Sequence, residues 1–194
     1  MRTYFIRTPK WLQLLFSEVT WSISEDQGVL WTFDDGPHPK STVWWLDELD
    51  AQRQSAIFFV NGRQALEYPD LVEEIRRRGH LVGSHGMDHL NGWKTKSSTY
   101  IKDVEQSLDL LETRLFRPPY GKLRLNQYVK LKRNCDLYYW TFMPGDFDKG
   151  IDRTQLLQRG SFIRKGDIVV LHDNPGCFQK STGLINQVNL KLKD

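Results

Sequence analysis

Asp34 and Asp35 stand side by side where the apolar run "VLWTF" meets Gly36-Pro37. Two like charges at the end of a hydrophobic segment repel each other and resist burial. Such a pair either opens a solvated Asp-Gly-Pro turn or serves a cation. His85 and His89 lie four apart in "HGMDH", a spacing that on a helical turn aims both imidazoles one way, as two ligands to one metal require. A carboxylate from a neighbouring strand end completes a two-histidine, one-carboxylate set with positions open to water and substrate. A divalent cation there neutralises one of the paired aspartates and leaves the other free as a base.

Further reactive groups are His172 at the end of "VVLH", Arg117 and Tyr120 in "RPPYG", and Asp146 and Asp148 in "GDFD". Singly, His172 reads as a histidine at the edge of a core and Arg117 as a surface residue before a polyproline turn. Together they fall where one site would need them. His38 and His80 have no such context and read as structural.

The elements that must position these residues alternate between β-rich and helix-period segments. Strands are expected over 28–33, 55–60, 80–84, 136–142 and 167–172, with another due near "RPPYG". Helices are expected over 41–51, 69–79, 98–115, 126–134 and 154–160. The 69–79 segment has proline in its first turn, early acids, late arginines and a closing glycine. In the 98–115 segment Ile101, Val104, Leu108, Leu111 and Leu115 form the apolar stripe. The tail from Gly183 is ambiguous. This alternation implies a parallel sheet flanked by helices. Six or seven units in 194 residues are too few for a closed eight-fold barrel, which needs about 250 residues. The fold class is therefore α/β, a smaller or incompletely closed barrel, with a doubly wound open sheet as the alternative. Either one gathers strand-end residues on a single rim.

Composition bounds the function. An apolar share of 39% without low-complexity tracts describes a globular chain, read as one domain over 1–194 with an N-terminal extension over 1–25. A net charge of +3 from 27 basic and 24 acidic residues is too balanced for a nucleic-acid partner. Cys135 and Cys177 permit at most one disulfide and match no metal spacing. No apolar run is long enough for a transmembrane segment. "WLQLLF" is interrupted by Gln13 and followed by no small-residue cleavage site. It reads as an amphipathic segment packing on the domain, with peripheral membrane contact as the other option. With no clear signal peptide, a cytoplasmic location is the expectation.

Five blocks occur in order: "TFDDGP" (32–37), "HGMDH" (85–89), "RPPYG" (117–121), "GDFD" (145–148) and "VVLH" (169–172). In these the chain resembles the polysaccharide deacetylases, the NodB homology or carbohydrate esterase family 4 domain. The resemblance implies a distorted, incomplete (β/α) barrel of about seven parallel strands. It implies metal-dependent removal of N-acetyl groups from N-acetylhexosamine units of an acetylated poly- or oligosaccharide, or removal of O-acetyl groups from xylan. By motif position Asp34 becomes the catalytic base, and Asp35, His85 and His89 the ligands to Zn²⁺, with Co²⁺ or Ni²⁺ as alternatives. Arg117 would hold the base, the Tyr120 N–H would face the oxyanion, and Asp146 would orient His172, the general acid. The chain departs from the family pattern at Gly86, where a loop-bracing Ser or Thr is usual, and at Leu90 and Val169. It also lacks a tryptophan after the aspartates of "GDFDKG", which leaves the choice between Asp146 and Asp148 open. Trp93 and Trp140 are either sugar-stacking surfaces or core. Two other readings of the same residues are a non-haem iron oxygenase site and a saccharide-binding domain without turnover.

Overall fold

The computed structural model describes residues 4–193. Six strands form one sheet: β1 (Leu30–Asp34), β2 (Ala56–Val60), β3 (Leu81–Ser84), β4 (Leu115–Phe116), β5 (Asp136–Leu137) and β6 (Ile168–His172). Their order is β5-β4-β3-β2-β1-β6, and every neighbouring pair is parallel. The central strands are covered on both faces, so they read as unbroken apolar runs rather than alternating ones. All five residues of β2 are buried.

Helices α1 (Lys10–Leu15), α2 (Ser41–Gln52), α3 (Gly62–Glu67), α4 (Pro69–Arg77), α5 (Ser97–Leu110), α6 (Leu125–Leu131), α7 (Arg153–Gly160) and α8 (Leu184–Lys193) complete the chain. One apolar cluster joins Trp31, Phe33 and Phe58 of the sheet to Trp45, Leu46 and Leu49 of α2 and to Leu184, Ile185 and Val188 of α8. A second gathers Tyr100, Val104 and Phe116 with Val19 and Trp21 of the N-terminal segment. That segment is also tied down by Arg7, whose guanidinium donates to both carboxylate oxygens of Asp167 at 2.7 and 2.8 Å.

Several expectations need correction. The segment 136–142 forms a regular strand only at Asp136–Leu137. Beyond it the chain leaves β4 and crosses toward β6, making isolated bridges from Tyr138 to Thr20 and from Phe142 to Val169. This crossing spans the open side of the sheet, so the barrel is curled but not closed by continuous pairing. Leu115 belongs to β4, not to the preceding helix. Helix α5 ends at Leu110, and Glu112 takes a left-handed φ of 47°. Helix α3 has a short sequence with a weak apolar period, yet Asn61 caps it by accepting from the N–H groups of Arg63 and Gln64. The ambiguous tail is a helix. Both cysteines are free and buried.

Candidate active site

The register of the parallel strands brings the reactive residues together. Asp34, the last residue of β1, pairs with His172, the last residue of β6. His85 follows β3 directly and its N–H donates to the Val60 carbonyl at the end of β2. Arg117 follows β4, and its N–H donates to the Ser84 carbonyl. All four sit at the carboxyl ends of the strands, where this architecture leaves room for ligands. Asp34, His85 and His172 border a cleft of about 430 Å³ that also takes in Asp35, His89, Tyr120, Trp140, Phe147 and Asn174, with Arg117 buried behind Asp34.

Asp35, His85 and His89 each present a ligand atom, and the three atoms lie within 4.8 Å of one another. His89 Nε2 is 3.3 Å and His85 Nε2 3.9 Å from Asp35 Oδ1. Ligands bound at about 2.0–2.1 Å around a tetrahedral zinc lie roughly 3.3 Å apart, so the donor set fits a small divalent cation with slight contraction. The His85 Nδ1 edge is engaged by the Arg117 carbonyl at 2.8 Å, which fixes Nε2 as the free nitrogen facing the site. Burial lowers the His85 pKa, and the charges of His89 and Arg117 act in the same direction against Asp34 and Asp35. The ring is therefore held neutral, the form a metal ligand needs. For Asp35, burial opposes ionisation. The hydrogen bond from His89 and the charges of His172, His85 and His89 outweigh it and hold the pKa below the usual carboxylate range. Asn174, which the sequence did not single out, donates to the other Asp35 oxygen at 3.3 Å.

The two histidines do not share a helical turn. Residues 85–89 form a loop in which Gly86 has φ 80° and His89 φ 53°. Asp35 (φ 81°) and Tyr120 (φ 60°) also occupy the left-handed region, where a non-glycine residue costs on the order of 1–3 kcal/mol. The surroundings must hold this strained backbone in place. Asp103 of α5 does so for the histidine loop, accepting from the Met87 and Asp88 N–H groups at 2.9 Å each. It supplies the bracing that Gly86 cannot. A Cβ at residue 86 would come within 2.9 Å of the Asp103 carboxylate. In the sequence Asp103 stands between the apolar-stripe residues Ile101 and Val104, and that position does not reveal its partner. Asp103→Ala is expected to weaken zinc binding by about 10–100-fold, as measured by competition with a fluorescent chelator.

Asp34 is buried and accepts from Arg117 Nη1 at 2.8 Å. Arg117 is itself fully buried, contrary to its reading as a lone surface residue. It also donates to Thr32 Oγ1 and the Tyr139 carbonyl, and its guanidinium lies 4.2 Å from the Phe59 ring centroid. Asp34 is thus oriented by one oxygen, and its other oxygen, Oδ2, lies 3.8 Å from His85 Nε2.

Across the cleft, Asp146 accepts from both the N–H and the Nδ1 of His172, at 2.7 and 2.8 Å. Asp148 instead accepts from the Tyr4 hydroxyl and the Gly150 N–H, each at 2.8 Å, so Asp146 is the histidine's partner. Burial lowers the His172 pKa, but the charge and hydrogen bond of Asp146, with Asp35 and Asp34 behind them, raise it to about 9. Phe147 packs edge-on against the His172 ring at 5.0 Å. The turn at Tyr120 closes through the Gly121 and Lys122 N–H groups and makes no use of the Tyr120 N–H. Its side chain is exposed and meets His89 edge-on. His80 packs against Phe58, and the His38 ring accepts from the Lys40 N–H. Trp140 lines the cleft and Trp93 an adjoining cavity.

Known proteins resemble this chain in sequence and in fold. A sequence profile described as "Polysaccharide deacetylase" matches residues 23–140, more than half of the chain. A chitooligosaccharide deacetylase of Rhizobium leguminosarum is 30% identical over 164 residues, covering 79% of this chain and 74% of the relative. A peptidoglycan-N-acetylglucosamine deacetylase of Bacillus cereus is 28% identical across 84% of the chain, which spans only 62% of that relative's length. Among solved structures, the Bc1960 peptidoglycan N-acetylglucosamine deacetylase superposes with a TM-score of 0.85 at 25% identity, over 96% of this chain and 91% of that one. The chain belongs to the polysaccharide deacetylase family. Asp146 and His172 lie beyond the profile match, and the fold carries them to the same cleft.

Proposed function

We propose that the protein hydrolyses N-acetyl groups on N-acetylhexosamine units of a poly- or oligosaccharide, releasing acetate and leaving a free amine. The observation that carries this reading is the division of labour between two adjacent aspartates. Asp35 lies near both imidazoles, 3.3 Å from His89 and 3.9 Å from His85, while Asp34 is held by Arg117 at 2.8 Å and lies 3.8 Å from His85. The names of the relatives, chitooligosaccharide and peptidoglycan deacetylases, support the substrate class.

Amide hydrolysis needs an activated water, a counter-charge for the carbonyl oxygen and a proton for the leaving nitrogen. Asp35, His85 and His89 would hold a divalent cation, with zinc the best match to the N/O donor set. When bound, it supplies Lewis acidity toward water and the acetyl carbonyl. The protein's own groups do the rest. Asp34, fixed by Arg117, takes the proton from the attacking water. The Tyr120 N–H, not used by its own turn, donates to the developing oxyanion. His172 enters the reaction protonated, because Asp146 stabilises its cationic form, and passes its proton to the departing amine.

The test is acetate release from N-acetylated chitooligosaccharides, peptidoglycan fragments and acetylated xylan. Protein stripped by chelation should lose at least about 90% of its rate and recover it with one equivalent of zinc. Undiminished turnover after stripping would refute metal dependence. Release from xylan alone would move the assignment to ester hydrolysis.

A further inference from the structure

Beside the catalytic cleft lies a second cavity of about 420 Å³, walled by the N-terminal segment on one side and the loops after β4 and β5 on the other. The two spaces share Tyr4, Tyr120, Gly121, Lys122, Trp140 and Met143, so a molecule with one end at His172 can extend directly into the second. We infer that the substrate is an N-acetylated sugar bearing an apolar chain, alkyl or isoprenoid, and that this cavity receives the chain. The inference rests on the deacetylase reading above and narrows its substrate class.

The wall decides what can occupy the cavity. Lys122 is the only charged residue among the described lining residues, and its ammonium lies 3.9 Å from the Trp93 ring centroid. Several polar atoms in the wall are spent on the protein itself. The Thr8 hydroxyl donates to the Trp140 carbonyl at 2.7 Å, and the Tyr4 hydroxyl donates to Asp148 at 2.8 Å. The indole N–H groups of Trp21 and Trp93 donate to the Phe16 and Leu123 carbonyls at 2.9 and 3.2 Å. Further sugar rings would lose water from several hydroxyls each and find few partners, which costs binding. A charged peptide would find almost no counter-ion. A hydrocarbon loses nothing, and a pocket of this size with apolar walls lies within the usual range for such ligands.

The rim agrees. Phe5 is 58% and Leu125 68% exposed, although both face the cavity mouth. Helix α1 lends Leu12 to the wall and turns Trp11, Leu14 and Leu15 outward at 63%, 78% and 67% exposure. Their i, i+3, i+4 spacing puts these three on one face. Together with the rim they exceed the scattered apolar exposure of an ordinary surface.

The experiment compares methyl and octyl β-glycosides of N,N′-diacetylchitobiose, the octyl compound kept below its micellar concentration, by acetate release and by calorimetric binding. Each methylene moved from water into the wall contributes about fourfold. The octyl glycoside should therefore show a KM and Kd at least tenfold lower, with kcat little changed. Phe5→Glu and Leu125→Glu, both at exposed side chains outside the catalytic set, should remove most of that preference and leave methyl glycoside kinetics unaltered. Equal affinity for the two glycosides overturns the inference while leaving the deacetylase reading intact. So does a preference for longer sugar chains that these two variants abolish, since it would assign the cavity to sugar units. If neither glycoside, nor any chitooligosaccharide or peptidoglycan fragment, yields acetate, the deacetylase reading falls, and calorimetry of the octyl compound still decides whether the cavity takes an alkyl chain.

Discussion

Asp34→Asn is expected to lower kcat by about 10²–10⁴-fold, the usual worth of a positioned general base, while zinc still binds. The amide matches the carboxylate in shape and leaves Asp35, His85 and His89 untouched, but it cannot accept the water proton. A stability effect accompanies the loss. Arg117 is fully buried and, among the described residues, Asp34 is its only carboxylate partner at salt-bridge distance. Removing one member of a buried pair costs on the order of 3–5 kcal/mol. Thermal unfolding of the variant should therefore shift to lower temperature, and rates should be compared well below its midpoint. A variant that folds, binds zinc and turns over at the parental rate would remove Asp34 from the base role and take the division of labour with it.

Asp146→Asn should act through pH. The His172 pKa is raised above its ordinary value of 6.5 to about 9, against burial and chiefly by Asp146. A general acid must be protonated, so kcat should hold at neutral pH and fall as pH rises through the folded-state pKa. A bound cation offsets the Asp35 contribution but not that of Asp146, so the alkaline limb should lie between 6.5 and about 9. With asparagine at 146, the main groups that oppose burial are gone and the limb should move to lower pH. On the alkaline side kcat should fall in proportion to the lost protonated fraction of His172. Stability follows the same sign. A raised histidine pKa stabilises the fold fully below pH 6.5, and this contribution is lost as pH rises through about 9. In the variant that pH-dependent loss should largely vanish. A pH–rate profile with an unmoved alkaline limb would show that His172 is not the acid.

Local chemistry made much of this architecture legible. The central strands β1, β2 and β6 read as apolar runs because helices cover their outer face and side chains such as Arg117 and Tyr138 fill the inner one, and helix α4 announces itself through Pro69, its early acid and its late arginines. What escaped depends on tertiary partners. Leu115 continues the helical period of α5, yet the chain turns at Glu112 and β3 claims it as an edge neighbour through Phe116. The stretch after Leu137 is as apolar as a strand, but its carbonyls at Tyr139 and Trp140 are taken by Arg117 and Thr8 rather than by a ladder. The candidate ligand set, Asp35, His85 and His89, was readable from motif order. The geometry that aims it was not, because His85 and His89 converge through a loop braced from a distant helix. Asp103 and Asn174 belong to no local motif, and only the fold reveals that they hold that loop and Asp35.

The central claim is that one cation sits among Asp35, His85 and His89 while Asp34 stays uncoordinated. Anomalous diffraction at the zinc edge from a zinc-soaked crystal tests it most directly. The account predicts a single strong peak within about 2.0–2.2 Å of His85 Nε2, His89 Nε2 and an Asp35 oxygen, with Asp34 still on Arg117. A peak coordinated by Asp34 in place of Asp35, or one lodged elsewhere with these three residues unligated, would contradict it.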